Sequence, residues 1–560
     1  MGDLPPYPPL DPTTYDLIIV GTGVSESILA AAASSSGSSV LHLDPNPFYG
    51  SHFASLSLPD LTTFLHSNSL PPPPPPPPPP SHDPSDFLSV DLVNRSLYSS
   101  VEITTFESSI LDDERYSRRF NVDLCGPRVL FCADESINLM LKSGSNNYVE
   151  FKSVDASFVG GDSSGELRSV PDSRAAIFRD KSLGLQEKNL LMKFFKVVQA
   201  HLAAASSTEI DETAVTITDE DMESPFVEFL AKMCLPPKIK SIILYGIAML
   251  DYDQDNAETC GNLLKTKEGV ARLALYITSI GRFSNALGAL IYPIYGQGEI
   301  PQAFCRRAAV KGCIYVLRMP ITALLLDKET GDYKGVRLAT GQEIFSQKLI
   351  LDPCITVGLE SMSSLTDQQK ETVRVLVPKA ISSKERVARG ICIIRSSVKA
   401  DVSNALVVYP PKSLFPEQLA AIRVLQLGSG LAVCPADMHV LYLSTVCDND
   451  DQGKAALLSA MSTLIKPQVP ENLQSESVVE NDPAEAKPTV LWRALYVQEL
   501  VKGEFGGSIS SASSPDGNLN YNEIVKSAVE LYEQLIGGEE LFKEEKTPEE
   551  ENDAGAENED

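Results

Sequence analysis

The stretch Asp16-Leu-Ile-Ile-Val-Gly-Thr-Gly-Val-Ser-Glu26 decides the fold of this 560-residue chain. Its first five residues form an apolar run rich in β-branched side chains, which predicts a buried strand. Gly21 and Gly23 then predict a tight turn, and the small residues of 25–35 predict a closely packed helix. A second strand is predicted over 39–43. A strand, a glycine turn, a helix and a second strand are the opening of a dinucleotide-binding, Rossmann-type α/β fold.

The binding motif of that fold is degenerate here. Asp44 ends the second strand, where an acidic residue would hold a ribose hydroxyl. Glu26 occupies the third glycine position, where it adds bulk and a negative charge at the helix end that a pyrophosphate would need. The set Gly21, Gly23, Glu26 and Asp44 therefore predicts a retained fold with no bound flavin and no other cofactor. A flavin-dependent oxidoreductase stays open as an alternative.

No constellation of catalytic residues compensates for this degenerate motif. The six histidines show no metal-ligand spacing, and the ten cysteines are scattered without a C-x-x-C pair. We therefore expect no catalytic residues, no metal site and a chain that is not an enzyme. Scattered cysteines are typical of reduced, buried thiols, which favours a cytoplasmic, cytosolic location. The N-terminal residues lack a basic start followed by an apolar core, so we expect no signal peptide.

The net charge of −28 argues against a nucleic-acid partner, because phosphate backbones attract basic surfaces. No apolar run reaches about 20 residues, so no spanning helix is predicted.

Composition and periodicity divide the chain into parts. Ten prolines in succession mark an insertion into the first α/β segment, with a polyproline helix predicted at its centre. Apolar residues recur at three- and four-residue spacing further on, which predicts helices with wide buried faces. The predicted parts are a disordered N-terminus (1–14), the main domain's first part (15–170, with the proline-rich insertion at about 55–90), a helical domain (171–284), the main domain's second part (285–536) and an acidic disordered tail (537–560).

Three ordered motifs resemble one known superfamily. They are the opening segment 16–29, the block 40–50 (V-L-H-L-D-P-N-P-F-Y-G), and the block 295–302 (Y-G-Q-G-E-I-P-Q) followed by Phe304 and Arg306. This order is similar to that of Rab GDP-dissociation inhibitors and Rab escort proteins. The resemblance implies a flavoprotein-like main domain with an inserted all-helical second domain. Gln297, the extra chain length and a late block at 491–496 favour the escort branch.

The resemblance also implies a function and its sites. Tyr49, Glu299 and Arg306 fall where the family contacts the switch regions of a Rab. Ile314 and Val316 fall at two further contact positions, with residue types that differ from the inhibitor pattern. The family's helical domain holds geranylgeranyl groups, and the candidates for its walls here are Phe194, Phe195, Val198, Phe226, Phe229 and Ile243.

An escort binds newly made, GDP-bound Rab GTPases and presents them to Rab geranylgeranyl transferase. It then shields the prenyl lipid until a membrane takes it, so membrane association is expected to be transient. A Rab GDP-dissociation inhibitor that recycles prenylated Rabs is the second alternative.

Overall fold

A computed structural model describes residues 8–69, 86–113, 117–161, 165–206, 217–255, 263–377, 386–466, 487–537 and 540–542. The ten consecutive prolines and the tail beyond residue 542 lie outside the described residues. No helix in these ranges combines the length and the apolar character that crossing a bilayer requires.

Strands and helices alternate in the first third and the last half of the chain, and helices predominate between them. The strands are β1 Thr14–Val20, β2 Val40–Asp44, β3 Ser55–Leu56, β4 Phe87–Asn94, β5 Tyr98–Thr105, β6 Val122–Asp123, β7 Leu130–Phe131, β8 Phe151–Ser153, β9 Ala156–Gly160, β10 Leu167–Ser169, β11 Leu290–Pro293, β12 Ile314–Leu317, β13 Ile321–Asp327, β14 Tyr333–Leu338, β15 Glu343–Leu351, β16 Ile355–Val357, β17 Arg386–Arg395, β18 Ala405–Tyr409, β19 Ile422–Gly428, β20 Met438–Cys447, β21 Thr489–Glu499, β22 Glu504–Gly506 and β23 Ile509–Ser511. The α-helices are α1 Val24–Ser35, α2 Leu58–Ser69, α3 Ser109–Asp112, α4 Glu135–Ser143, α5 Arg174–Arg179, α6 Leu185–Ser206, α7 Asp219–Glu223, α8 Phe226–Lys232, α9 Pro237–Ser241, α10 Thr266–Ser279, α11 Glu299–Val310, α12 Leu359–Ser364, α13 Asp367–Thr372, α14 Asp450–Leu464 and α15 Asn522–Tyr532. Short 3₁₀ turns cover Ser51–Phe53, Ser145–Tyr148, Arg374–Leu376 and Ser429–Leu431, and π-helical turns cover Ile242–Ile247 and Glu533–Gly537.

The first sheet contains the predicted β-α-β unit at its core. Its strand order is β12-β2-β1-β15-β14-β13-β4-β16, with the β22–β23 hairpin attached to β15. β1 pairs in parallel with both β2 and β15. The alanine run of α1 is fully buried because that helix lies between the sheet and the helices α11 and α15.

A second sheet has the order β10-β9-β18-β19-β20-β17-β21-β5. One face packs against α14, where Leu457 and Met461 meet the apolar side chains of β17 and β20. The other face packs against the helical region, because the side chains of β17, β18, β19, β20 and β21 share one core with those of α6, α8 and α10. The two faces are apolar because alternate residues of each strand point to opposite sides.

The helical region begins at α5 and ends with α10. In the described residues of 171–284, the only β pairings are isolated bridges. The predicted α/β fold with an inserted helical domain is confirmed.

The predicted proline-rich insertion at about 55–90 is too wide at both ends. The segment 55–69 is not part of an insertion: it forms β3 and α2, and α2 buries Leu61 and Leu65 in the main core. β4 likewise belongs to the first sheet, where it pairs with β13. Polyproline composition nearby obscured these three elements.

Residues 8–13 and 540–542, which composition assigned to the disordered ends, are also part of the described structure. The backbone N–H of Leu10 donates to Gln342 Oε1 at 2.9 Å. Near the other end, Leu541 and Phe542 are buried, with 8% and 4% of their surfaces exposed. The sequence around Leu10 and around Leu541 and Phe542 gives no indication of these contacts.

Candidate functional site

The turn between β1 and α1 is closed by the protein's own side chains. The backbone N–H of Thr22 donates to Asp44 Oδ2 at 2.9 Å, and Ser51 Oγ donates to the same oxygen at 2.8 Å. The backbone N–H of Asn46 donates to Asp44 Oδ1 at 2.8 Å. Donors from the protein itself therefore occupy both oxygens of Asp44, the residue that would hold a ribose hydroxyl in a dinucleotide-binding motif.

Glu26 fills the space above the glycine turn. A Cβ placed on Gly23 would lie 2.6 Å from Glu26 Oε2, so the carboxyl group folds back over that residue. Glu26 is 2% exposed, and burial together with the Asp352 carboxylate raises its pKa to about 8. The negative charge expected from the sequence is therefore largely absent at neutral pH, because a group with that pKa stays protonated. The crowding expected from the sequence is present.

These residues do not fit a flavin dinucleotide. Gly21 has φ of +99°, as the turn requires, but a Cβ there would lie 3.0 Å from Asp352 Oδ2. A pyrophosphate would meet the carboxyl groups of Glu26 and Asp352 in place of free backbone donors. The motif supports the fold and holds the following loop.

That loop carries Tyr49, the first platform candidate. The backbone N–H of Gly50 donates to Thr22 Oγ1 at 2.9 Å, which fixes the loop to the glycine turn between β1 and α1. Tyr49 is half-buried, and its ring meets the ring of Tyr315 edge-on with centroids 5.8 Å apart. Burial raises the pKa of Tyr49, so its hydroxyl stays neutral and can donate a hydrogen bond.

The second platform motif is positioned by a buried carboxylate. Asp123 Oδ1 accepts from the backbone N–H of Gln297 at 2.9 Å and from Ser55 Oγ at 2.7 Å, while Tyr292 donates to its other oxygen. Ser55 Oγ also lies 2.8 Å from the donating N–H of Gly298. The segment that begins α11 is thus held from beneath by Asp123 of β6 and Ser55 of β3.

Glu299 and Arg306 lie on one face of α11, because positions seven apart are two turns apart on a helix. Glu299 is half-buried in the first turn, where Gln302 Nε2 donates to its Oε1 at 3.2 Å. Burial raises the pKa of Glu299 above its ordinary value. Arg306 is exposed, and its guanidinium lies 5.4 Å from the ring centroid of Tyr148.

Ile314 and Val316 lie on the edge strand β12, next to β2. They alternate with Tyr315, so they project to the opposite face of the strand. Val316 packs against the core on one side of the sheet and Tyr315 against the core on the other. The structure joins Tyr49 to Tyr315, and it places Ile314 and Val316 around the edge from them.

Two aromatic residues of this surface were missed in the sequence. Tyr315 connects the loop of Tyr49 to β12, and its position between two candidate residues was an available signal. Tyr295 is 56% exposed and precedes α11 with φ of +74°. Large exposed aromatic side chains on a rigid frame are typical of protein interfaces. We define the platform as Tyr49, Tyr295, Glu299 and Arg306. Ile314 and Val316, on the other face of β12, stay as separate candidates.

The candidate lipid-wall residues form a closed core. Phe194, Phe195 and Phe229 are in ring contact, and Phe226 stacks on Phe229 with centroids 6.5 Å apart. A Cβ on Gly269 of α10 would lie 2.5 Å from the Phe226 ring, so these helices approach closely. The six candidates belong to one cluster in which only Phe195 is half-buried; they are Phe194, Phe195, Val198, Phe226, Phe229 and Ile243.

The fold and this surface define a class of protein. A family model for GDI, GDP dissociation inhibitor, matches residues 11–104 and 85–467, and the chain belongs to that family. The resemblance found in the motifs is thereby confirmed.

Its relatives narrow the class further. Rab escort protein 1 of Arabidopsis thaliana is 81% identical, with 100% of both chains covered. The Rab proteins geranylgeranyltransferase component A of Drosophila melanogaster is 29% identical over 79% of this chain and 76% of the relative. The crystal structure of a Rab GDI from Plasmodium falciparum superposes with a TM-score of 0.65 at 18% identity, covering 93% of this chain and 98% of that one. This last likeness supports the fold alone.

Proposed function

We propose that this chain is an escort for Rab GTPases. It binds a newly made, GDP-bound Rab, presents it to Rab geranylgeranyl transferase and shields the attached lipid until a membrane receives it. The observation that carries the proposal is the full-length likeness to Rab escort protein 1, at 81% identity. The platform geometry agrees with it, because both platform motifs are held rigidly from beneath by buried polar residues.

The platform offers a Rab two kinds of contact. Tyr49 and Tyr295 supply large apolar area whose side chains lose little entropy on binding. Arg306 is exposed and, among the described residues, forms no ion pair, so its guanidinium can bind a partner's carboxylate with two hydrogen bonds. Glu299 offers a carboxyl group on the same helix face. We place the switch regions of the Rab over this surface.

A direct test of the site compares two arginines. Arg306→Glu should weaken binding of unprenylated, GDP-loaded Rab by about 2 kcal/mol or more, because it replaces an attractive charge with a repulsive one. Arg179→Glu is the control, since Arg179 is also exposed but lies on α5 in the helical region. Titration calorimetry measures both. Equal affinity of the two variants would remove Arg306 from the interface.

Reconstituted prenylation separates the escort from a Rab GDP-dissociation inhibitor. Transferase, geranylgeranyl diphosphate and an unprenylated Rab are incubated with and without this chain, and lipid transfer is counted. An escort stimulates the transfer. A chain that extracts prenylated Rabs from membranes without stimulating transfer is the inhibitor.

The chain contributes no catalytic group in this proposal. The closed glycine turn supports that part of it, since Asp44 and Glu26 are engaged within the protein. Purification from a flavin-rich expression host tests it: we expect a colourless protein that releases no flavin on denaturation. A yellow protein with one flavin per chain would return the oxidoreductase alternative.

A further inference from the structure

Three metal-binding side chains converge beside the glycine turn, outside the platform. They are His52, Asp352 and Cys354, whose donor atoms all lie within 4.8 Å of one another. His52 and Asp352 are buried and Cys354 is half-buried. His52 Nε2 lies 3.0 Å from Cys354 Sγ and 3.3 Å from Asp352 Oδ1. It is the one such group in the part of the chain that the structure describes.

The separations of these atoms are close to those of a tetrahedral metal site. Bond lengths of about 2.0–2.1 Å to nitrogen, 2.0–2.2 Å to oxygen and 2.3 Å to sulfur place tetrahedral ligand atoms roughly 3.3–3.6 Å apart. The nitrogen–oxygen distance is already in that range, and the nitrogen–sulfur distance needs a widening of about half an ångström. Metal binding would therefore require the Cys354 and His52 side chains to move apart by that amount.

The surroundings of His52 also fit a metal ligand. Its other ring nitrogen, Nδ1, lies 2.7 Å from the hydroxyl of Tyr98. A ligating imidazole usually has such an outer partner, which fixes its orientation. Phe64 and Tyr98 pack their rings against the imidazole and shield the cluster.

Protons can pair these three groups only two at a time. A proton on His52 Nε2 or on the Cys354 thiol lies between two of the atoms, whereas a cation can bind all three at once. Beside them, Glu26 Oε2 is buried and has no hydrogen-bond partner among the described residues. Glu26 interacts electrostatically with Asp352 and with His52. An unpaired oxygen at the cluster is a second sign that a cation is suited to this place.

We propose that His52, Asp352 and Cys354 form a binding site for a borderline-soft divalent cation, with Zn²⁺ as the best match. One nitrogen, one oxygen and one thiolate are ligands that zinc accepts together. Binding releases the thiol proton of Cys354 and any proton on His52 Nε2, so that the ligating imidazole is neutral with its remaining N–H at Nδ1, facing Tyr98. The fourth position remains for water or for Glu26.

The cation would connect two distant segments of the fold. His52 lies in the 3₁₀ turn that follows the Tyr49 loop, and Asp352 and Cys354 lie between β15 and β16. Their separation of 300 residues along the sequence means that the bond would fasten the loop to the first sheet. The site is therefore structural, and it does not depend on the proposed Rab binding.

Cobalt substitution tests the site through its spectrum. The full-length protein is stripped of metal and titrated with Co²⁺ and then Zn²⁺. We expect one equivalent of Co²⁺ with tetrahedral visible bands and a thiolate-to-cobalt charge-transfer band, both removed by Zn²⁺. Cys354→Ser should lose the charge-transfer band. Cys447→Ser is the matched control, because Cys447 is also a half-buried free cysteine, and it should keep the band.

Tyr98→Phe adds a readout of the outer partner, with Zn²⁺ affinity expected to fall about 10- to 100-fold. Circular dichroism of each metal-free variant confirms that it is folded. If Cys354→Ser does not fold, the Co²⁺ spectra of Asp352→Asn and of the wild type are used to decide whether the site binds metal. Absence of the charge-transfer band in the wild type would overturn the proposal. So would its loss in the Cys447 variant, or Co²⁺ bound equally by all variants.

Discussion

His42 is a histidine that folding keeps neutral. It is fully buried in β2, its ring lies against Tyr315, and its Nε2 is 2.5 Å from the carbonyl oxygen of Gly21. Burial lowers its pKa from 6.5 to about 4, although the Gly21 carbonyl opposes the shift. Below the unfolded pKa, the unfolded chain takes up a proton that the folded chain refuses. The free energy of unfolding should therefore fall by about 2 kcal/mol between neutral pH and about pH 5 on account of this residue.

Urea unfolding at several pH values measures the contribution of His42 to the pH dependence of the free energy of unfolding. Other buried groups, such as Glu26, have raised pKa values and act in the opposite direction, so the comparison must be between variants. His42→Asn should be less stable at neutral pH and should lose less stability on acidification than the wild type. His66→Asn is the control, since His66 is exposed on α2. Parallel pH profiles for wild type and His42→Asn would contradict the prediction.

Among the secondary-structure elements, local pattern decided what could be predicted from sequence. The β1, α1 and β2 elements were predicted within two residues of their observed starts and ends, because each has its own apolar period and the glycine turn marks the junction. α2 was missed because its apolar residues stand next to ten prolines. The pairing of β17 with β21 had no local signal, since register between such distant strands depends on the whole core.

The site followed the same rule. Tyr49, Glu299 and Arg306 were predicted from ordered motifs. The strand over 314–317 was predicted, but which core each of its faces meets depends on its pairing with β2, so the packing of Tyr315 and Val316 in opposite cores emerged only with β12 in place. The cluster of His52 and Cys354 could not be found by spacing, because 302 residues separate its members.

The start of α11 depends on Asp123. Asp123→Asn keeps the shape but replaces one accepting oxygen with an amide group, which leaves a buried donor such as Tyr292 or Gln297 N–H unpaired. We expect the free energy of unfolding to fall by about 1–3 kcal/mol. We also expect weaker Rab binding, although Asp123 is fully buried and cannot touch a partner. Urea unfolding and titration calorimetry measure the two effects.

A control must show whether Asp123→Asn weakens Rab binding by displacing α11 or only by lowering the stability of the protein. Val407→Ala is the control, because Val407 is buried in β18 of the second sheet, away from the platform. Its expected loss of stability is about 0.5–3 kcal/mol, with unchanged Rab affinity. If both variants bind a Rab equally well, Asp123 does not position α11 for binding.

The whole molecule has a core that crosses the boundary between its sheets and its helices. Side chains of the second sheet and of α6, α8 and α10 form one cluster. Arg423 of β19 forms an ion pair with Asp251 at 2.7 Å and donates to the carbonyl oxygen of Met249 at 3.0 Å. Deleting 171–284 would therefore expose one face of the sheet and remove the carboxylate partner of Arg423. Point variants are therefore needed to test separately the proposed roles of the platform in Rab binding and of the helical region in lipid binding.

A lipid that enters this closed core must first open it, and the free energy of opening lowers the apparent affinity. Phe229→Leu removes volume from the packed rings of α6 and α8, which reduces that opening term. We expect stability to fall by about 1–2 kcal/mol and affinity for a fluorescent geranylgeranyl peptide to rise about two- to tenfold. Leu441→Ala is the control: Leu441 is buried on the α14 face of the second sheet, so it should lose stability without gaining lipid affinity. Equal lipid affinity in Phe229→Leu and the wild type would mean that the lipid binds elsewhere, and these aromatic residues would then be structural core only.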